Sequence, residues 1–322
     1  MKVRFLIVQN HLNKLSMINR LRGLVKSQKA LFTVPGKIEA GQDELKINIG
    51  SLHSELNSRK HSYEKLSELE FKVFSQFGDD GIIQYLVRNI EIPYTTFIEF
   101  GVEDFFESNT RFLLQKDNWS GFVMDGSKEH ISRLKSSSFF WKHDLEAKSV
   151  FITKENITDL LAPYIQKWGG LGILHIDLDG NDYWIWEKLD LKPVILILEY
   201  NSTFGIDRSI TVPYDASFYR TDAHYSNLYW GSSLKSLHDL SISRGYKFIG
   251  CNSSGNNAYF ILGDYMNSNL KSVSLTEGFV GSKYRESRNE QGDLTYLGGL
   301  DRVKEIKGLT VFNTETMTEE KF

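Results

Sequence analysis

The stretch of the chain richest in chemistry is His175-Ile176-Asp177-Leu178-Asp179-Gly180-Asn181-Asp182-Tyr183-Trp184, which runs off an apolar segment. Burying an unpaired carboxylate costs several kcal/mol, so three of them this close cannot all be core residues. Some must face a cavity or a metal. Alternation puts Asp177 and Asp179 on one face of an extended chain, while Asp182 opens the next helical pattern and can serve as its cap. A second acidic end follows in Glu199-Tyr200-Asn201. Such groups can take a proton from a nucleophile. They can also hold a hard cation such as Mg²⁺ through oxygens from adjacent strand ends, here Asp177, Asp179, Glu199 and Asn201.

Two further strand ends carry acids. Phe97-Ile98-Glu99-Phe100-Gly101 leads into a turn, residues 102–110, that contains no further glycine. A dinucleotide site needs three glycines there, so that backbone amides and a helix N-terminus can approach the pyrophosphate. The four carboxylates of this turn, Glu99, Glu103, Asp104 and Glu107, instead repel a diphosphate and attract a cation. The ammonium and sulfonium of S-adenosylmethionine (SAM) are such charges. Taken alone, the same residues also describe a solvated acidic turn capping a helix. One βα unit later Val123-Met124-Asp125 ends a strand where a carboxylate can accept hydrogen bonds from both ribose hydroxyls of a nucleoside. On its own such an Asp is also a common helix cap.

The elements that must position these ends alternate. Short β-rich runs are expected at Thr96–Val102, Gly121–Asp125, Val150–Thr153, Leu171–Asp177, Val194–Tyr200, Lys247–Cys251 and Ala258–Leu262, with helices starting near Ser108, Lys128, Ile157, Asp182 and Ser232. That is the pattern of a parallel sheet with crossover helices. The last two runs are joined by a short Ser/Gly/Asn loop and should pair antiparallel. The expected fold is therefore α/β, a doubly wound, mainly parallel seven-stranded sheet ending in an antiparallel hairpin. Class I methyltransferases have this arrangement, and dehydrogenases do not. Residues 1–70 read as a helical N-terminal extension, 71–263 as the catalytic-type domain and 264–322 as a tail or lid, with the charged stretch 283–293 its loop.

Bulk properties narrow the classes. With 322 residues, 41% apolar and 13% aromatic, the chain can fill a real core. A net charge of −3 supplies no basic field for nucleic acid. Cys251 is the only cysteine, which excludes an intrachain disulfide and a thiolate cluster and fits a cytoplasmic setting. No run approaches the ~20 apolar residues that cross a bilayer. The first 38 residues hold eight Lys or Arg and no Asp or Glu, with Leu12, Leu15, Ile18, Leu21 and Val25 near helical spacing. This basic amphipathic segment can dock on its own domain or a second copy in a homo-oligomer, serve as a transit peptide, or lie peripherally on the inner face of an anionic membrane.

The motifs also carry a resemblance. Ser75-Gln76-Phe77-Gly78-Asp79-Asp80-Gly81, residues 97–110, 174–184 and 199–201, Gly231 through Leu237, Gly245-Tyr246 and Asn257-Ala258-Tyr259-Phe260 resemble the FkbM-related family of SAM-dependent methyltransferases. The resemblance spans roughly residues 71–263, and Asp-Leu-Asp-Gly-Asn-Asp-Tyr is its most specific string. It implies a role in glycan or polysaccharide biosynthesis and a small-molecule or glycan acceptor. Glu99 and Gly101 would line the methionine end of SAM, with Asn109 placed in the same cofactor set. Asp125 would meet the ribose and Asp177 the sulfonium side. Asp179, Asp182, Glu199 and Asn201 would face the acceptor. Phe106 departs from the family, which has a small residue there.

Methyl transfer to a hydroxyl needs the acceptor's proton removed. Asp179 is the first expected base, with Asp182, Glu199 and His224 as alternatives. Tyr214, Tyr219, Tyr225, Tyr229 and Trp230 can stack on sugar rings or pack a long loop. Two other classes fit parts of the pattern. One is a metal-dependent glycosyltransferase using Asp177-Leu178-Asp179, and the other is a non-catalytic protein that keeps the fold and binds a partner through its N-terminus.

Overall fold

The short apolar runs send successive side chains to opposite sides, and both sides are buried. Phe97, Val123, Ile173 and Ile195 belong to one core, while Ile98, Phe122, Leu174 and Leu196, their chain neighbours, belong to the other. A sheet covered on both faces reads as continuous hydrophobic runs, as these do. The strands are β1 (Thr96–Phe100), β2 (Ser120–Asp125), β3 (Leu145–Ser149), β4 (Ile173–Ile176), β5 (Ile195–Glu199), β7 (Tyr246–Cys251) and β8 (Asn257–Leu262), with β6 (Ile210–Thr211) outside this sheet. Their order is β3-β2-β1-β4-β5-β8-β7. The first five run parallel, and β8 lies antiparallel to both β5 and β7. The expected doubly wound sheet with its terminal hairpin is thus the observed one.

This computed structural model describes Ile38, residues 40–60 and residues 62–322. The chain divides into two units, Met1–Asn48 and Ile49–Phe322. In the first, Ile38 and residues 40–48 are helical. The basic segment, and with it the expected membrane contact, falls outside the described residues except for Ile38. No helix among the described residues is long and apolar enough to cross a membrane.

In the second unit, helix α1 (residues 49–58) is followed by a single 3-10 turn at Leu66–Glu68, less helix than the reading of residues 1–70 as a helical extension predicts; Tyr63, Leu66 and Leu69 flank or form this turn. These three side chains are buried in the first core together with α2 (Asp79–Asn89), α3 (Arg111–Asp117) and α4 (Lys128–Ser136). The other face is covered by α5 (Ile157–Trp168), α6 (Asp182–Lys188) and α8 (Leu234–Ser243). Between β6 and α8 lies the short helix α7 (Arg220–Ala223).

Two expectations need correction. The third strand lies at Leu145–Ser149 and not at Val150–Thr153. It is an edge strand in which Leu145 and Ala147 point inward while Glu146 and Lys148 face solvent. Charges on its outer face broke the apolar run, and Val150, Phe151 and Ile152 lie past its end on a cavity wall. The second concerns the polar tail, which includes α9 (Leu275–Gly278), α10 (Leu300–Glu305), β9 (Thr310–Asn313) and β10 (Thr318–Lys321). Strand β9 pairs with both β6 and β10 in a three-stranded antiparallel sheet over Phe204, Ile210, Val212 and Val311.

One loop sets the entry to the sheet. Asp80 Oδ2 accepts from the amides of Val73, Phe74 and Ser75 at 2.7, 2.8 and 2.7 Å and from Ser75 Oγ at 2.8 Å. Its Oδ1 is buried without a partner. Burial pushes the carboxyl up to about 6 against the lowering effect of these bonds. All four donors meet one oxygen, so an amide can replace the acid. Asp80→Ala should therefore lose about 3 kcal/mol or more, and Asp80→Asn about 1 kcal/mol, in denaturant unfolding. Equal losses would show that the charge, and not the acceptor, holds the loop.

Candidate active site

The chain proceeds outward from β1 through β2 to β3, then returns to β4 on the other side of β1. The carboxyl ends of β1 and β4 therefore flank the crevice where open α/β sheets bind ligands. Gly101 follows β1 at φ +69°, and an added Cβ would land on the carbonyl oxygen of Asp177 just beyond β4. Only glycine allows both the left-handed backbone and the close approach. A cavity of about 620 Å³ opens there, within the range of roughly 300–1,000 Å³ that holds small ligands. Glu99, Gly101, Asn109, Asp125, Asp177, Asp179 and Glu199, all expected from the sequence, line it together. Asp182, Asn201 and His224 do not.

Glu99 belongs to the wall. It is buried and accepts from Ser108 Oγ at 2.7 Å, Asn109 N at 2.9 Å, Thr110 N at 3.2 Å and the Thr110 hydroxyl. His175 Nδ1 stands 3.1 Å away. Burial raises the Glu99 carboxyl, but the hydrogen bond and charge of His175, with Thr110 and Ser108, overcome this and hold it below the ordinary range. Burial likewise lowers His175, and Glu99 more than reverses it. The result is a buried ion pair that fixes the turn carrying Asn109, whose side-chain amide lies 3.4 Å from His175 Nε2.

Asp125 closes the other side. Its two oxygens accept from Glu103 N at 2.8 Å and Ser127 N at 2.7 Å. A carboxylate has about four acceptor positions, so both oxygens keep capacity for hydroxyl donors. Glu103 and Phe105 are held at positive φ in the β1–α3 turn, a strain of the kind found at ligand sites.

The acids beyond β4 and β5 divide their roles. Asp182 is buried, with its oxygens accepting from Leu178 N at 2.8 Å and Gly180 N at 3.1 Å. It shapes the Asp177–Gly180 turn and does not cap α6, whose N-cap residue is Asn181. Burial, then the neighbouring charge of Asp177, pushes it up to about 8. Asp179, at φ +54°, pairs with Arg220 Nη1 at 2.8 Å. Asp177 and Glu199 act on each other's titration, and Glu199 Oε2 is buried without a hydrogen-bond partner. Loss of hydration and then Asp179 push Asp177 up to about 6, while burial and then Asp177 push Glu199 well above its ordinary value. Both carboxyls are thereby biased toward the protonated form.

The expected cation set does not converge. Asn201 donates to the carbonyls of Leu228 and Trp230, both at 2.9 Å, and accepts from Thr203 N at 3.0 Å, away from the larger cavity. With Asp177 tied to Glu199 and Asp179 to Arg220, no group of three or more His, Cys, Asp or Glu among the described residues is placed to hold a metal. His224 is bonded to Ser226 Oγ at 2.7 Å. Of the aromatic cluster, Tyr219 lines the larger cavity and Trp230 a neighbouring one. Tyr214, Tyr225 and Tyr229 bond Glu155, Glu305 and the Thr310 carbonyl instead.

Asp79, His175, Arg220 and Asn257 also line the cavity and were not in the expected set. Asp79 accepts from Asn252 and Asn257 and from the Tyr259 hydroxyl, tying the hairpin loop to α2. Adjacent acids ahead of a helical run read as caps, and Arg220 finds Asp179 across 41 residues of sequence, so only His175, inside the acidic string, carried a local signal.

No family model matches the chain and no curated protein matches its sequence, so the FkbM resemblance rests on the motifs quoted above. Among solved structures the chain is similar to an O-methyltransferase from Bacillus cereus in complex with S-adenosylhomocysteine (SAH), at 11% identity and TM-score 0.38 over 69% of this chain and 89% of that one. It is also similar to a SAM-dependent methyltransferase from Clostridium acetobutylicum, at 11% identity and TM-score 0.37 over 57% and 90%. A third likeness is to the N-terminal domain of EvdMO1 with SAH bound, at 11% identity and TM-score 0.34 over 52% and 73%. At this level of likeness the functional reading falls to the cavity's own residues.

The raised carboxyls tie stability to pH. Each keeps its proton in the fold where the unfolded chain has lost it, so its contribution is full at low pH and is lost as pH rises through about 6 for Asp177 and about 8 for Asp182. Glu199→Gln should therefore melt a few degrees above the parent near pH 8 and converge with it near pH 5. A variant that melts lower at every pH would show Glu199 to be a stabilising anion.

Proposed function

We propose that the chain is a SAM-dependent O-methyltransferase acting on a sugar-type small molecule. The observation that carries this reading is the acidic cavity at the β1/β4 reversal, with Gly101 and Asp125 on one side and the Asp177–Glu199 pair on the other. The mainly parallel sheet ending in an antiparallel hairpin is the arrangement from which the sequence pointed to a class I methyltransferase, and β8 lies between β5 and β7.

The residues fit the donor. Carboxylates dominate the wall and favour ammonium and sulfonium over a diphosphate. Asp125 has free acceptor capacity for ribose hydroxyls, and Gly101 leaves the backbone bare beside them. Asn257 Oδ1, on a lining residue, lacks a partner. SAM, when bound, supplies a methyl group already activated for in-line displacement by a nucleophile. The protein therefore has to orient the acceptor and take its proton. Asp179 was the first expected base, but its ion pair with Arg220 makes it a holder of that cation. The Asp177–Glu199 pair is better placed in pKa: at neutral pH it has one proton and one vacancy, and the vacancy receives the hydroxyl proton.

Three outcomes test this. SAH should raise the melting temperature of the protein, whereas a shift with a nucleoside diphosphate and Mn²⁺ and none with SAH would assign a glycosyltransferase. Asp177→Asn should cut SAH release with the best acceptor of a sugar panel by roughly 10²–10⁴-fold, and Asp179→Asn by far less. The rate in the parent should fall as pH drops below about 6, when Asp177 takes up its proton; a flat profile there would remove the pair from the chemistry.

A further inference from the structure

A second cavity, of about 300 Å³, adjoins the first beyond β5, and Gln76, Phe77, Glu199, Arg220, Asn256 and Glu286 line both. Its inner wall brings together Trp230, Tyr284, Ser202, Ser282 and Arg302. We propose that this cavity is the acceptor subsite and that Arg302 binds an anionic group, carboxylate or phosphate, on an acidic sugar. The proposal rests on the methyl-transfer reading for the name acceptor, but not for the ligand's charge.

Charge pairing singles out Arg302. Arg220 is held by Asp179 at 2.8 Å and Glu286 at 3.6 Å, and Glu286 also meets Arg288 at 3.2 Å. Arg302 donates from Nη1 to the Tyr284 carbonyl at 2.5 Å, and its Nε is buried without a partner. Among the described residues it makes no ion pair. A half-buried guanidinium that lines a cavity without an ion pair is a ready partner for a carboxylate or phosphate, whose charge-assisted bonds are the strong ones. Aromatic rings line the cavity as well: Phe77 stacks on Tyr284 at 4.5 Å, and Arg220 lies over the Trp230 face at 4.6 Å. Glu199 belongs to both cavities. A ring anchored at Arg302 thus presents its hydroxyls toward the Asp177–Glu199 pair.

The test is calorimetric titration of the full chain, with SAH present, against D-glucuronate, D-glucose 1-phosphate and D-glucose. At least one acidic sugar should bind about tenfold or more tighter than glucose, the two arms separating carboxylate from phosphate. Arg302→Gln should erase the preference and Arg302→Lys should keep part of it, while SAH affinity stays the same. Glucose binding as tightly as both acids, or an undiminished preference in Arg302→Gln, overturns the proposal. Acidic sugars that bind at Arg302 in a protein indifferent to SAH would keep the anion subsite and sink the methyl-transfer reading instead.

Discussion

The structure depends on keeping like charges together where β4 and β5 end. Asp177, Asp182 and Glu199 crowd one corner, where burial and their mutual repulsion push all three carboxyls up against the opposing charge of His175 on Asp177. Each acid also has a separate restraint. Asp182 is bound by two amides of the turn it shapes, Asp179 is drawn outward to Arg220, and Asp177 is tied to Glu199. A well-packed neutral corner would be easier to fold. Its retention as an acidic one is what ties this part of the molecule to proton chemistry.

The opposite bank is built on a contrary principle. Glu99 is ionised, countered by His175, and surrounded by donors from the 108–110 turn. It holds backbone in place and shares the wall with Asn109 and Asp125. Two acids at equivalent strand ends, Glu99 and Glu199, thus reach opposite protonation states, one beside a cation and the other beside a further acid. Gly101 sits between the two banks and sets their distance.

Most of the sheet was legible because buried strands and their helices repeat one apolar pattern, and six of the seven strands lie within two residues of the ends expected for them. The seventh failed where charged residues on an exposed edge interrupted the run. Strand tips were legible for the same reason: carboxylates that follow apolar residues must go somewhere wet. Their division of labour was not. Whether Asp182 caps or Glu99 contacts ligand depends on amides and on His175 brought near by folding, and Arg220 and Arg302 lie in segments with no period of their own. The small sheet was missed because β6 is two residues long and its partner is about a hundred residues distant.

That small sheet has a consequence for the order in which the molecule can come into being. The floor of the larger cavity is drawn mostly from residues 99 through 257, whereas Tyr284, Glu286 and Arg302 follow them. A ribosome working along the message makes one chamber's scaffold well before the walls of its neighbour. The later segment lies outside the seven-stranded sheet's register but closes against it: Val273 N donates to the Phe248 carbonyl, the Tyr200 hydroxyl donates to the Val280 carbonyl, and Phe312 packs on Trp184 at 4.9 Å. The second chamber's wall is thus laid against a frame that was made before it.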